Sequence, residues 1–287
     1  MSRPLDFLRR VPAAVAWRAE VRTRGVRERA RKVTAPLRLR PNFLVIGAQK
    51  SGTTALHAYL SEHPAVFCTS RKEVHYFSLT YPLGERWYLS HFALRGVSRP
   101  AAVGESTPAY LFDPRSPARV HAFDPRMKLV AVLRDPVERA YSHYWMERET
   151  RDETRSFEDA LEWEQREVVP ELERWIADPA YESPLPLFGR SYVSRGLYAE
   201  QLERWLELFP REQMLVFTSD ELTAEPAETM AFVARFLGAP PVAPVSYPRE
   251  NVREYEPMAA ETRQHLRQVF EPHNRRLEEL LGRTLPW

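Results

Sequence analysis

A chain of 287 residues, 44% hydrophobic and 28% charged, has the length and composition of one large globular α/β domain, which excludes a fibrous or wholly disordered chain. A single cysteine, Cys68, excludes an intrachain disulfide and fits a reducing compartment. The net charge of +2 is unevenly spread: residues 1–40 carry 12 Arg or Lys and 3 Asp or Glu, and this local +9 leaves the remainder at −7. An acidic body argues against nucleic acid as a partner, because phosphate contacts dominate such affinity.

Residues 1–40 form a basic arm and residues 41–287 the body. In the arm, Arg alternates with Val, Ala, Leu and Trp17. One reading is an amphipathic helix lying on an anionic membrane, and the other is a solvated lead-in. The arm's apolar run, residues 11–17, is bounded by Arg and is too short for a signal-peptide core. No stretch approaches the roughly 20 apolar residues that a membrane span needs. The expectation is therefore a cytoplasmic protein, any membrane contact being peripheral, at the inner surface and through the arm.

The body opens with an apolar, β-rich run over 43–46, which predicts a buried strand feeding Gly47 and a polar loop. A helix is predicted over 53–60, with Leu56 and Leu60 one turn apart and His63-Pro64 beyond its end. A second strand over 129–133 ends at Arg134-Asp135-Pro136, and a helix follows from 136 to about 149 with Pro in its first turn. Residues 178–190 are Pro-rich and read as a surface loop, with a place over the active site as one expectation. A helix over 196–209, a strand over 214–217, a helix over 227–237 and a long helix over 258–281, bent near Pro272, complete the chain. Strands alternating with helices predict a single P-loop-like α/β domain, its central parallel sheet flanked by helices on both faces. Ligands in such sheets bind at the carboxyl ends of the strands.

The most informative segment is Gly47-Ala48-Gln49-Lys50-Ser51-Gly52-Thr53-Thr54, where a strand enters a glycine-containing turn that opens a helix. Glycine lets backbone N–H groups approach an anion, and the helix N-terminus adds partial positive charge. Thr53 and Thr54 offer hydroxyl donors, and Lys50 a mobile cation. The nucleoside-triphosphate loop G-x-x-x-x-G-K-[ST] shares both glycines but requires Lys where this chain has Thr53. The segment is thus an anion site of another kind.

Three further motifs follow: Lys72-Glu73-Val74-His75-Tyr76-Phe77, then Gly104-Glu105-Ser106-Thr107-Pro108-Ala109-Tyr110, then Leu133-Arg134-Asp135-Pro136-Val137-Glu138-Arg139-Ala140-Tyr141-Ser142. Together with the loop, and in this order, they resemble the sulfotransferases that use 3′-phosphoadenosine 5′-phosphosulfate (PAPS), in particular the heparan sulfate branch and its bacterial relatives. The resemblance runs from about Pro41 to the end of the chain. It implies sulfuryl transfer from PAPS, leaving PAP, to a hydroxyl or amine of a saccharide, glycolipid or small metabolite.

The resemblance also implies residue roles. Lys50, Ser51, Gly52, Thr53 and Thr54 bind the 5′-phosphosulfate, and Lys50 stabilises the bridging oxygen. Arg134 and Ser142 clamp the 3′-phosphate, for which Arg suits a two-bond grip; Asp135 caps the following helix, and Arg139 forms a surface or structural ion pair. Tyr198, in Ser194-Arg195-Gly196-Leu197-Tyr198, lies close to the nucleotide. Arg249 and Arg253 fall in a loop before the last helix, and Arg253 is assigned to PAPS although the branch's Lys-Gly-Arg pattern and flanking cysteine pair are missing.

The acceptor must lose a proton, which requires a base within hydrogen-bond reach. Glu73 and His75 are the candidates, and the resemblance favours Glu73, with His75 supporting it or touching the acceptor. Glu105 is placed to orient Lys50 or the acceptor. Ser106 stands where heparan-modifying relatives commonly have a Lys facing the polysaccharide. That difference and the −7 body favour a neutral acceptor, for which Tyr76, Phe77, Tyr81 and Trp87 offer either a stacking wall or simply core. The leaving group is already a good one and no metal-ligand spacing is visible, so no metal is expected. The alternatives are a P-loop nucleotide-dependent phosphotransferase, a kinase, and a non-catalytic membrane-associated module built on the arm.

Overall fold

The computed structural model describes residues 32–96, 99–150, 153–183, 185–242 and 256–287. Five strands, β1 (Phe43–Gly47), β2 (Val66–Cys68), β3 (Ala102–Ser106), β4 (Lys128–Leu133) and β5 (Met214–Thr218), form one sheet in the order β2-β3-β1-β4-β5. Every pairing is parallel. β1, β3, β4 and β5 are buried almost throughout because helices cover both faces, and β1, β4 and β5 are also apolar.

Alternation along the strands divides the core. Leu44, Ile46, Leu129, Ala131, Leu133 and Val216 point to one face, where they meet Tyr110, Leu111, Tyr198, Leu202 and Trp205. Phe43, Val45, Val130, Val132, Leu215 and Phe217 point to the other, against Leu56, Tyr59, Leu60, Met230, Val233 and Leu237. The helices on the two faces include α1 (Thr53–Glu62), α2 (Ala109–Phe112), α4 (Tyr198–Leu206), α5 (Pro226–Leu237) and α6 (Ala260–Leu281), while α3 (Pro136–Thr150) packs against α6 through Val137, Ala140 and Tyr144. The predicted parallel sheet between two helical layers is present.

Several expectations are corrected. β2 and β3 were not among the predicted strands: β2 has three residues, and β3 contains Gly104 and Glu105, which carry no strand signal. A helical block over 157–177, with a π turn at Glu164–Val168, fills what pattern alone left unassigned. The 178–190 stretch contains a short helix, Leu187–Arg190, and lies against Trp175 and Arg115 rather than over the cleft described below. The long last helix expected over 258–281 is present as α6, with Pro272 inside it. Arg139 is fully buried, donating to the carbonyl of Tyr192, so its role is structural and not at the surface. Of the arm, residues 1–31 lie outside the described residues, whereas Ala35 is buried in the core and Leu39 N–H donates to the carbonyl of Ala93.

Candidate active site

All the motif segments converge on the carboxyl ends of the strands, where a parallel sheet binds ligands. There a cavity of about 490 Å³ is lined by Gln49, Lys50, Ser51, Gly52, Thr53, Thr54, Ala55, Lys72, Glu73, Pro108, Arg134, Ser142, Met146, Ser219, Asp220 and Thr223. All five strand ends feed it: the loop after β1, Lys72 and Glu73 after β2, Pro108 after β3, Arg134 after β4 and the turn after β5.

The loop after β1 has the conformation that anion binding demands. Its pairing with β4 shifts register between Val45 and Gly47, and Ala48 N–H donates to the carbonyl of Val132 at 2.7 Å. A Cβ at Gly47 would lie 2.6 Å from Leu111, so no larger residue fits there. Gly52, at φ 96°, opens α1 from the left-handed region and offers no side-chain cap, leaving the first-turn N–H groups to face a ligand. Lys50 holds φ 69°, which costs energy for a residue with a Cβ and is typical of functional loops.

Arg134 and Ser142 form the opposite end. Ser142 and Met146 are one turn apart on α3 and share a face. Asp135 Oδ1 accepts from Val137 N–H at 2.8 Å, capping α3. Arg134 is thereby freed to face the cavity, and its guanidinium also donates to the carbonyl of Lys50 at 3.4 Å. Tyr198 is buried behind this pair, its hydroxyl donating to the carbonyl of Arg134 at 3.0 Å. It is not itself in the cavity lining but touches two residues that are, Arg134 and Ser51. Arg253 lies outside the described residues.

Glu73 lies on the wall shared with Lys50, and its Oε2 is 3.1 Å from Nε2 of His75 and its Oε1 3.5 Å from Nζ of Lys72. Burial pushes its carboxyl upward, but the His75 hydrogen bond and the charges of Lys72, His75 and Arg195 prevail and hold it below the usual carboxylate range. A carboxylate is therefore available near neutral pH. His75, at φ 61°, stands behind Glu73 and is not on the cavity wall.

Ser106 does not reach the acceptor side. It is fully buried, its Oγ 2.9 Å from Nδ1 of His57, and it does not line the cavity. The aromatic candidates are core: Tyr76 stacks on Tyr88 at 4.4 Å, Phe77 and Trp87 are buried, and only Tyr81 is exposed, at 37%. Glu105 lies beneath the site, bonded to Thr107 and Tyr110 rather than to Lys50. Sequence reasoning missed Lys72, Met146, Ser219, Asp220 and Thr223 as cavity residues. The Lys72 signal was its place beside Glu73; Ser219 and its neighbours follow a predicted strand end.

Residues 40–256 match the family described as the sulfotransferase domain. The crystal structure of a sulfotransferase from Alicyclobacillus acidocaldarius superimposes with a TM-score of 0.70 at 33% identity, over 86% of this chain and 98% of that one. A human bifunctional heparan sulfate N-deacetylase/N-sulfotransferase 3 is 30% identical over 86% of this chain and 31% of its own length. The membrane-associated sulfotransferase kil1 of Dictyostelium discoideum is 27% identical over 86% of this chain and 66% of its own. The chain thus spans a third to two thirds of these two relatives. It belongs to the sulfotransferase family.

Proposed function

We propose that this protein transfers a sulfuryl group from PAPS to a hydroxyl or amine of a saccharide, glycolipid or small metabolite. The observation that carries the reading is one cavity bounded by the Lys50–Thr54 loop, by Arg134 with Ser142, and by Glu73. The uncapped start of α1 and the backbone of the loop suit the 5′-phosphosulfate. Arg134 and Ser142 suit a second phosphate. Glu73 takes the acceptor proton as the acceptor's new bond to sulfur forms. Lys50 offsets the negative charge on the phosphate oxygen as its bond to sulfur breaks and the electron pair stays with PAP. Positioning and electrostatics, contributed by residues already in the cavity, supply the catalysis.

A phosphotransferase is not favoured: the loop has Thr53 where a triphosphate loop needs Lys, and the family is that of sulfotransferases. Calorimetry tests the donor: PAP binds and ATP with Mg²⁺ binds far more weakly. Tighter binding of ATP than of PAP overturns the reading.

The −7 charge of the body favours a neutral acceptor over a sulfated polysaccharide. The competition that tests it sets heparan fragments against neutral glycolipids with labelled PAPS at physiological salt, and preferential labelling of the heparan refutes the preference. Among the described residues no helix is long and apolar enough to cross a membrane. Peripheral contact, at the inner membrane surface of a cytoplasmic protein, is assigned to the basic arm. Removing residues 1–31 then weakens co-sedimentation with anionic vesicles without loss of transfer to a soluble acceptor.

A further inference from the structure

The segment that carries Glu73 and His75 has no regular secondary structure, so something other than a ladder must hold it. Three of its backbone N–H groups end on two hydroxyls. Val74 and His75 donate to Thr107 Oγ1 at 3.1 and 3.2 Å, and Phe77 donates to the Tyr110 hydroxyl at 3.4 Å. Each hydroxyl then passes its own proton to one carboxylate: Thr107 donates to Glu105 Oε2 at 2.7 Å and Tyr110 to Glu105 Oε1 at 2.7 Å. Glu105 and Tyr110 are fully buried, and so is Thr107.

The direction of every bond in this network follows from its ends. An amide N–H only donates, so each hydroxyl accepts there and keeps its own proton to donate to Glu105. When ionised, Glu105 has two acceptor oxygens and receives both hydroxyls. Removing any member leaves a buried donor or acceptor without a partner, which is costly in a low-dielectric interior.

We propose that Glu105 is a positioning residue: through Thr107 and Tyr110 it sets the backbone turn that presents Glu73, with His75 behind it, to the acceptor. The proposal rests on the sulfotransferase reading for the word acceptor, but the network itself stands on geometry. Glu105 does not line the cavity, and acts through the two hydroxyls. A misplacement of about 1 Å at a reacting group costs up to about a hundredfold in rate, so a hub of this kind controls turnover without touching the donor.

The test uses the full chain and compares wild type with Thr107→Val, Thr107→Ser and Glu105→Gln. Hydrogen exchange read amide by amide needs neither donor nor acceptor. Thr107→Val speeds exchange at Val74 and His75 at least tenfold, Thr107→Ser restores protection, and Glu105→Gln, which can accept from only one of the two hydroxyls, exposes amides in one or both arms. PAP affinity stays within about threefold in all three. Turnover of labelled PAPS, with a heparosan oligosaccharide or galactosylceramide micelles as probe acceptor, falls tenfold to a hundredfold in Thr107→Val and recovers in Thr107→Ser. If Thr107→Val does not fold, Tyr110→Phe carries the same comparison at Phe77. Unchanged exchange at these amides, or equal damage from Val and Ser at 107, overturns the proposal. Absence of transfer by the wild type, with the exchange pattern as described, counts against the sulfotransferase reading and leaves the network standing.

Discussion

The guanidinium of Arg134, at the end of β4, donates to the main-chain carbonyl of Lys50, in the loop after β1, at 3.4 Å. The two sites that the sequence motifs mark as separate anion contacts are thus one continuous wall. Their separation by ligand chemistry is testable. Arg134→Ala and Ser142→Ala weaken PAP binding about tenfold to a hundredfold, the scale of one or two charge-assisted hydrogen bonds. Adenosine 5′-phosphosulfate, which lacks the 3′-phosphate, loses much less. Calorimetry with both ligands checks this, and equal losses for the two contradict a clamp on the 3′-phosphate.

Glu73→Gln keeps the shape of the side chain and removes its basicity. Turnover falls by a factor of about 10² to 10⁴, the range of general-base contributions, and PAP affinity stays nearly unchanged. His75 touches Glu73 at 3.1 Å but not the cavity, so His75→Ala loses less. Rate assays on both variants decide the order: a dead His75→Ala beside an active Glu73→Gln assigns the base to His75.

Lys50→Ala removes the cation beside the bridging oxygen. Turnover falls about 10² to 10³, and PAP binding weakens only moderately, because the α1 N-terminus and Arg134 remain. Lys50 also occupies φ 69°, so Lys50→Gly separates the two contributions. Glycine accepts this conformation without strain, and a Gly variant as slow as the Ala variant assigns the loss to charge rather than to backbone.

The layered sheet was legible because β1, β4 and β5 are continuous apolar runs, each followed by a helix with clear caps or periodicity. β3 was not: Gly104 and Glu105 in its middle break the apolar pattern, and they do so because the strand carries the carboxylate beneath the site and packs against Phe43, whose carbonyl would lie 2.5 Å from a Cβ at 104. The phosphate loop was readable as local chemistry. Ser106 was misread because a strand residue's facing depends on register: Ser106 turns toward α1, where His57 receives it. Lys72 and Ser219 come together in the cavity only through the tertiary fold.

Burial of the Glu105 carboxylate, opposed by hydrogen bonds from Tyr110 and Thr107 and by the charge of His75, raises its carboxyl from the ordinary 4.5 to about 7. The other ionisable groups facing it are Glu73 from the same loop as His75, Cys68 from β2 and Tyr88 from the helix over 85–89. A raised carboxyl means that the folded state binds a proton that the unfolded chain has already released. The favourable contribution is complete below about pH 4.5 and is lost as pH rises through about 7. A shift of this size corresponds to on the order of 3 kcal/mol across the window. Glu73 is held below its ordinary value, so its own stabilising contribution is lost only as pH falls below the carboxylate range, outside this window. Glu105→Gln cannot titrate. Urea unfolding of wild type and variant at pH 5, 6, 7 and 8 therefore gives a difference in stability that shifts in favour of the variant as pH rises, all other titrations cancelling between the two. A difference that stays constant from pH 5 to 8 sinks the prediction, because it means that Glu105 ionises alike in the folded and unfolded chain.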